Sequence, residues 1–276
     1  MMKLKIYQVD AFASQVFEGN PAAVCPLSQW LPDDVLQKIA EENNLSETAF
    51  FVAGENPIQL RWFTPMEEVD LCGHATLAAA YVLYEYLEYK EPSVTFSTKS
   101  GALIVSKNEL GFSMDFPASM PSVVEAPQAL LSGLGTSITP TKVMAAFDYI
   151  VVLNSEEEVR NLKPDFSQWL TLGLRGVVVT SRSNSSVAGD DITNGSVNNT
   201  DFVSRCFFPK LRVNEDPVTG SAQCELAPYW EKELSNSILT GLQVSKRSGT
   251  ILCEMKGDRV ILTGNAVAYM TGEIFI

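Results

Sequence analysis

The chain has few of the residues from which metal sites and disulfide frameworks are built. It contains one histidine among 276 residues, and its five cysteines are widely spaced, with no Cys-x-x-Cys or Cys-x-x-His pair. Structural zinc sites use closely spaced ligands, and disulfide scaffolds use an even, patterned set of cysteines. The sequence therefore argues against both, and we expect no metal site.

Positive charge and long apolar runs are also scarce. Lys and Arg number 20 against 33 Asp and Glu, which gives a net charge of −13. A chain this acidic lacks the basic surface that neutralises nucleic-acid phosphates or binds anionic membranes. No apolar run approaches the roughly 18 residues of a membrane span, and the first residues lack a signal-peptide core. We therefore expect a cytoplasmic protein with neither nucleic-acid nor membrane partners.

Apolar residues are plentiful, at 46% of the chain, and one apolar stretch contains the single histidine. From Gly73 and His74 onward the sequence is rich in Ala and Leu, and no charge follows until Glu85. Such a stretch predicts a helix that is apolar on nearly every side and therefore buried. Its first turn would have free backbone N–H groups, which suit a carboxylate.

The rest of the first half reads as strands around one further helix. Alternation of apolar and polar residues predicts a strand over residues 4–12, and Pro32 begins a predicted helix through residue 42. A hairpin is expected over residues 102–116. Three prolines after this hairpin indicate a boundary near residue 118.

The second half contains a polar segment and a proline-interrupted helix. Residues 182–201 are rich in Asn, Ser, Gly and Asp, which predicts a surface loop. A helix is expected after Gly220, with a kink or break near Pro228, because proline removes a helical hydrogen bond. Residues 260–276 read as strands.

The two halves repeat one another. Residues 61–65 (RWFTP) resemble residues 205–209 (RCFFP) 144 positions later, and Gly73-His74-Ala75 resembles Gly220-Ser221-Ala222 147 positions later. Residues 99–103 resemble residues 247–251 at an offset of 148. A diverged duplication predicts two pseudo-symmetric lobes, each a sheet around one helix. We expect an N-terminal lobe of residues 1–118, completed by the C-terminal strand at about 265–276, a C-terminal lobe of residues 119–264, and an active-site cleft between them.

Three residues are candidate proton carriers: Glu47, where a loop runs into a predicted strand, and His74 and Asp216, near the predicted helix starts. A carboxyl group among apolar neighbours has a raised pKa, which would make Glu47 a usable base near neutral pH. Each residue alone also fits a structural role, as a salt bridge, a buried core histidine or a turn residue. Cys72 alone fits an inert core thiol, and Ser221 a first-turn residue.

Six segments together resemble the phenazine-biosynthesis (PhzF-like) isomerase family. The resemblance runs in order from about residue 4 to the C-terminus, and its motifs lie at residues 10–12, 19–25, 44–50, 61–65, 68–76 and 215–222. It implies the diaminopimelate-epimerase-like α+β fold, in which each lobe is a mixed, largely antiparallel sheet wrapped around a central helix. It also implies a reaction without a cofactor, a small carboxylate-bearing substrate, and a homodimer.

The resemblance also implies roles for individual residues. Glu47 corresponds to the glutamate that shuttles a proton across a cyclic amino acid, with His74 and Asp216 as the other catalytic residues. The substrate-binding assignments are Asn20, Ser46, Gly73, Gly220 and Ser221.

The sequence departs from the family pattern in three places. Gln223 stands where many members have a second histidine, and the polar loop at residues 182–201 is longer than usual. Thr219 stands where related epimerases have a second cysteine, which argues against a two-thiol racemase because threonine cannot act as a thiolate base. The alternatives are an epimerase or racemase using Cys72 plus a carboxylate, a Ser221–His74–Asp216 hydrolase, and a non-catalytic small-acid-binding protein.

Overall fold

The computed structural model describes residues 2–54, 57–136, 138–184 and 199–276. The chain divides into two compact units. Unit 1 comprises the residues up to Asp115 together with Thr263–Ile276, and unit 2 comprises Phe116–Leu262. No helix in the described part of the chain has both the length and the apolar character that a membrane span requires.

Unit 1 contains two helices and most of the first strands of the chain. In order, its elements are β1 (Lys3–Ala11), β2 (Asn20–Leu27), α1 (Asp33–Asn43), β3 (Glu47–Val52), β4 (Ile58–Phe63), β5 (Glu68–Val69), α2 (Gly73–Tyr86), β6 (Ser93–Thr98), β7 (Gly101–Asn108) and β8 (Gly111–Pro117). The predicted strand, helix and hairpin of this half are therefore present, with ends shifted by one or two residues.

The strands of unit 1 form a mixed sheet that surrounds α2. β2 and β3 are parallel, as are β4 and β6, whereas β1–β2, β3–β4, β6–β7 and β7–β8 are antiparallel. α2 packs against β1, β2 and β3, and nine of its 14 residues are buried. Its small apolar side chains allow this close approach on every side, which is why the charge-free stretch folds as a central helix.

Unit 2 repeats this arrangement with additional short helices. Its elements are β9 (Ser122–Val123), α3 (Gln128–Leu134), β10 (Lys142–Ala145), β11 (Tyr149–Val152), α4 (Glu156–Asn161), α5 (Phe166–Trp169), β12 (Val177–Arg182), β13 (Phe202–Phe208), a 3₁₀ turn (Pro209–Leu211), β14 (Val213–Asp216), α6 (Gly220–Leu234), β15 (Ile238–Gln243), β16 (Gly249–Lys256) and β17 (Arg259–Gly264). The last strand, β18 (Ala266–Phe275), pairs antiparallel with β1 in unit 1.

The strands of unit 2 pair in the same order of parallel and antiparallel neighbours as the strands of unit 1. β11 and β12 are parallel, β12 and β13 antiparallel, β13 and β15 parallel, and β15 and β16 antiparallel. α6 packs against β15 and β16 and is the counterpart of α2. Of the polar segment predicted over residues 182–201, residues 185–198 lie outside the described part of the chain.

Of the kink or break expected near Pro228, the break is absent, because α6 continues from Gly220 to Leu234 with Pro228 inside it. Proline has no N–H to donate to the carbonyl four residues earlier, at Cys224. That carbonyl accepts a hydrogen bond from the Ser119 amide instead, at 2.8 Å. The helix therefore stays continuous because the lost internal bond is replaced from outside.

Candidate active site

The first turn of α2 and the start of β3 bring a carboxylate, a thiol and an imidazole together. Glu47 is the first residue of β3 and pairs with Ala22 of the parallel neighbour β2. Cys72 is the N-cap residue of α2 in extended conformation, and His74 is the second helical residue. The Cys72 carbonyl accepts bonds from the Thr76 amide at 3.1 Å and the Thr76 hydroxyl at 2.6 Å, which fixes this turn.

The distances within this cluster are those of interacting groups. His74 Nε2 lies 2.9 Å from Glu47 Oε2, and His74 Nδ1 lies 3.5 Å from Cys72 Sγ. The His74 side chain is 9% exposed and that of Glu47 18% exposed. The imidazole therefore sits between the carboxylate and the thiol, and solvent screens these interactions little.

The charges of the cluster follow from these contacts. Burial by itself would raise the pKa of Glu47, but the charge of His74 and hydrogen bonds from His74 and Cys72 outweigh it and lower the pKa. Burial opposes the charged form of His74, yet Cys72 and Glu47 raise its pKa well above the usual value. Burial, and then the Glu47 carboxylate, raise the pKa of the Cys72 thiol. These directions favour a carboxylate at Glu47, an imidazolium at His74 and a protonated thiol at Cys72.

This result corrects the expectation that apolar surroundings raise the pKa of Glu47. The sequence becomes apolar from Ala49 onward, but in space the Glu47 carboxylate lies 2.9 Å from the imidazole of His74. An opposite charge within about 4–6 Å favours the ionised carboxyl group. Glu47 is therefore already deprotonated, in the state that accepts a proton.

The other unit 1 residues assigned to substrate binding lie at the same chain segments. Ser46 is half-buried directly before β3, and Gly73 is the half-buried first residue of α2. Asn20 is buried at the start of β2, where it pairs with Ala11. Ser46 thus precedes Glu47, and Gly73 lies between Cys72 and His74. Asn20 is two residues before Ala22, the residue that pairs with Glu47.

Unit 2 contains different chemistry at the corresponding helix start. Thr219 is the N-cap residue of α6, in an extended conformation like that of Cys72, and its hydroxyl donates a hydrogen bond to Asp216. The Gln243 side chain holds this turn from both sides, since its Nε2 donates to the Asp216 carbonyl at 2.6 Å and its Oε1 accepts from the Thr219 amide at 2.8 Å. Gly220 and Ser221, both half-buried, begin the helix.

An ion pair beside Ser221, between the partly exposed Arg175 and the buried Asp148, was not predicted from the sequence. Arg175 donates to both carboxylate oxygens of Asp148, from Nε at 3.0 Å and from Nη2 at 2.5 Å, and Nη2 also donates to Ser221 Oγ at 3.1 Å. Glu225 Oε1 accepts hydrogen bonds from the amides of Phe147 and Asp148. These residues come from distant parts of the sequence, and no local motif connects them.

Gln223, at the position where many members of the resembled family have histidine, is fully buried. Its amide oxygen lies 4.0 Å from Cys253 Sγ of β16, on the side of α6 that faces its own sheet. The surroundings of Gln223 are therefore those of a core residue.

Glu47, Cys72 and His74 are also residue types that bind transition metals. Their potential ligand atoms lie within 4.8 Å of one another. A metal would require the thiol and the imidazolium to lose their protons first. The resting charges thus suit proton transfer, and a metal would compete with it.

Comparison with known proteins agrees with this architecture. A family model described as phenazine biosynthesis-like protein matches residues 9–272. The chain is 48% identical over 275 residues to an uncharacterized isomerase of Pseudomonas aeruginosa, and the match covers 100% of both.

Solved structures show the fold. A PhzF-family phenazine biosynthesis protein from Enterococcus faecalis has a TM-score of 0.92 and 45% identity, with 100% of each chain covered. A hydroxyproline epimerase from Agrobacterium vitis, 9% identical, has a TM-score of 0.57 over 99% of this chain and 92% of that chain. The epimerase-like α+β fold expected from the sequence is confirmed, and the chain belongs to the phenazine biosynthesis-like (PhzF) protein family.

Proposed function

We propose that the protein is a cofactor-independent isomerase that moves a proton between two carbons of a small carboxylate-bearing substrate. The observation that supports this most is the pairing of Glu47 with His74, 2.9 Å apart in a nearly buried cluster. The isomerase name of the P. aeruginosa relative agrees with it. The substrate class we propose is a cyclic amino or hydroxy acid.

Glu47 is the base in this proposal. Its carboxylate removes a proton from a C–H bond, and the electron pair of that bond moves into the neighbouring conjugated system. The Glu47 carboxyl group then returns the same proton to another carbon on the same face. His74 remains an imidazolium and stabilises negative charge that develops during the transfer.

The remaining assignments concern binding and orientation. Gly73, Gly220 and Ser221 are assigned to substrate binding because each lies in the first turn of a central helix, where free backbone N–H groups favour an anion. Asp216 would orient the substrate.

Hydrogen exchange tests the proposal. A panel of cyclic and aromatic amino and hydroxy acids is incubated with the protein in D₂O and analysed by mass spectrometry. We expect an isomerised product with wild type, none with Glu47→Gln, and wild-type turnover with Glu41→Gln, a change of an exposed glutamate on α1. Full activity of Glu47→Gln on a verified substrate would overturn the assignment.

One observation favours a second candidate, an epimerase that uses Cys72 with a carboxylate. The thiol lies 3.5 Å from the imidazole, close enough to exchange a proton with it. An epimerase would introduce deuterium at the carbon that lost hydrogen and invert it, whereas the isomerase moves hydrogen to a different carbon. The position of the label in the product separates the two.

A further inference from the structure

Arg175 is held on three sides in unit 2. Asp148 accepts two hydrogen bonds from the guanidinium, the ring of Phe208 lies 5.0 Å from its central carbon, and Ser221 Oγ accepts the third hydrogen bond. A bidentate carboxylate and an aromatic face fix both the position and the plane of a guanidinium. The contact with Ser221 is therefore built into the structure.

The support beneath Arg175 is buried and carries little net charge. Asp148 and Glu225 are both fully buried, and Glu225 fixes the Asp148 turn by accepting from the Phe147 amide at 2.6 Å and the Asp148 amide at 3.1 Å. Burial and the neighbouring Asp148 carboxylate raise the pKa of Glu225 to about 8. The raised pKa favours the uncharged form of Glu225, which would not repel an anion.

The bond from Arg175 determines what Ser221 can do. A serine hydroxyl has one hydrogen to donate and two lone pairs. Because Arg175 Nη2 donates to Oγ, the hydroxyl hydrogen points away from the guanidinium. Ser221 is thereby oriented as a donor at the start of α6, where the backbone N–H groups also favour an anion.

We propose that Arg175 is a positioning residue for carboxylate recognition, which orients the Ser221 hydroxyl toward the carboxylate of the ligand. Asp148 and Glu225 hold Arg175 in the orientation that this requires. The inference rests on the proposed function for its choice of ligand, a small organic acid, and adds to it a residue that no motif identified.

Benzoate is the probe, and benzamide is its uncharged counterpart. Binding is followed by the amide signals of Gly220 and Ser221 in ¹⁵N-labelled protein, which report the location as well as the affinity. We expect benzoate to shift these signals and benzamide not to. Arg175→Lys retains the charge but not the bidentate geometry, and we expect benzoate affinity to fall about three- to tenfold.

Two further variants separate positioning from general stability. Arg160→Lys is the matched control, since Arg160 pairs with Glu156 within α4. We expect it to bind benzoate as wild type does. In a Ser221→Ala background, Arg175→Lys should cause no additional loss, because the residue acts through that hydroxyl.

The proposal fails if benzoate does not shift Gly220 and Ser221, or if Arg175→Lys weakens binding equally with and without Ser221. The measurement needs no turnover, so its outcome is separate from that of the isomerase test. Carboxylate binding that depends on Arg175, without hydrogen migration on any substrate, would leave this inference intact and remove the proposed reaction. Hydrogen migration on a substrate, together with wild-type benzoate binding by Arg175→Lys, would support the proposed reaction and overturn this inference.

Discussion

The buried acids near the two central helices have opposite protonation behaviour. In unit 1, the imidazolium of His74 lowers the pKa of Glu47, although burial acts in the other direction. In unit 2, burial and the Asp148 carboxylate raise the pKa of Glu225 to about 8. The same fold thus holds one acid as a charged base and another as an uncharged support, because their nearest neighbours differ.

An arginine–glutamate ion pair occupies equivalent positions in the two units. Arg61 binds Glu68 through Nε at 2.7 Å and Nη2 at 2.9 Å, and Arg205 binds Glu215 through the same atoms at 2.8 Å each. Each pair connects a long strand to the short strand before the central helix. Duplication therefore preserved the element that positions the helix start.

The units also differ at the position of Glu47, the proposed base. Thr48 pairs with Phe63 in unit 1, and Val177 pairs with Phe207, the repeat counterpart of Phe63, in unit 2. The counterpart of Glu47 is therefore Gly176. A Cβ at Gly176 would lie 2.3 Å from the Phe208 ring and 2.5 Å from a backbone oxygen, so no side chain fits there without movement.

The largest expected effect tests the coupling in unit 1. With a substrate from the exchange screen, His74→Gln should lower kcat/KM by about a hundredfold or more. Because Glu47 must be deprotonated to act, and because only the Cys72 hydrogen bond then opposes the effect of burial on its pKa, the acid limb of the pH profile should move to higher pH. Ser221→Ala should lower kcat/KM without moving that limb. An unmoved limb in His74→Gln would show that His74 does not set the pKa of Glu47.

The next effect compares the two arginine pairs. Arg205 also donates to the carbonyls of Val159, Arg160 and Leu162, whereas Arg61 has the exposed Asp33 as its further partner. Arg205→Ala should lower the free energy of unfolding by about 3–5 kcal/mol. Arg61→Ala should lower it by about 1–3 kcal/mol. Urea unfolding measures both, and equal losses would contradict the difference described here.

A third prediction uses the pH dependence of stability. Because the folded-state pKa of Glu225 is raised from 4.5 to about 8, the folded state loses stability as the pH rises between these values. Glu225→Gln keeps an oxygen acceptor and should flatten this decline in urea unfolding. For Glu47 the sign is opposite: its lowered pKa contributes stability that is lost as the pH falls below 4.5. A Glu225→Gln curve parallel to wild type would refute the raised pKa.

The smallest expected effect concerns Cys72 and Thr219, the N-cap residues of α2 and α6. Cys72→Ser should leave the isomerase within about tenfold of wild type, since the thiol has a raised pKa and is not the base. Thr219→Ser is the matched change in unit 2 and should be similarly mild. Loss of all activity in Cys72→Ser alone would favour the epimerase.

Sequence patterns predicted the parts of this structure that depend on local composition. The charge-free stretch after Gly73 is sufficient to predict a buried helix, and the repeated RWFTP and RCFFP segments indicate the duplication. The family resemblance assigned Glu47 and His74 to the same site. The local sequence pattern alone was equally consistent with a structural role for each of them. Their assigned roles remain predictions.

What the sequence did not predict depends on contacts between distant residues. Asp148, Arg175 and Glu225 are separated by 27 and 50 positions, so no spacing rule joins them. The repeat offset is 144 at Phe63 but 129 at Thr48, which conceals Gly176 as the counterpart of Glu47. The predicted direction of the Glu47 pKa shift was wrong because the residues next to Glu47 in the sequence do not indicate that an imidazole lies beside its carboxylate.

The proline within α6 has a consequence for local motion. The Ser119 amide, in a segment without regular structure, is bonded to the carbonyl that Pro228 leaves free. Exchange of that amide with solvent requires this contact to open, so its protection reports on the middle of a helix more than one hundred residues further along the chain. A residue that usually interrupts helices here ties the local unfolding of an irregular segment to that of α6.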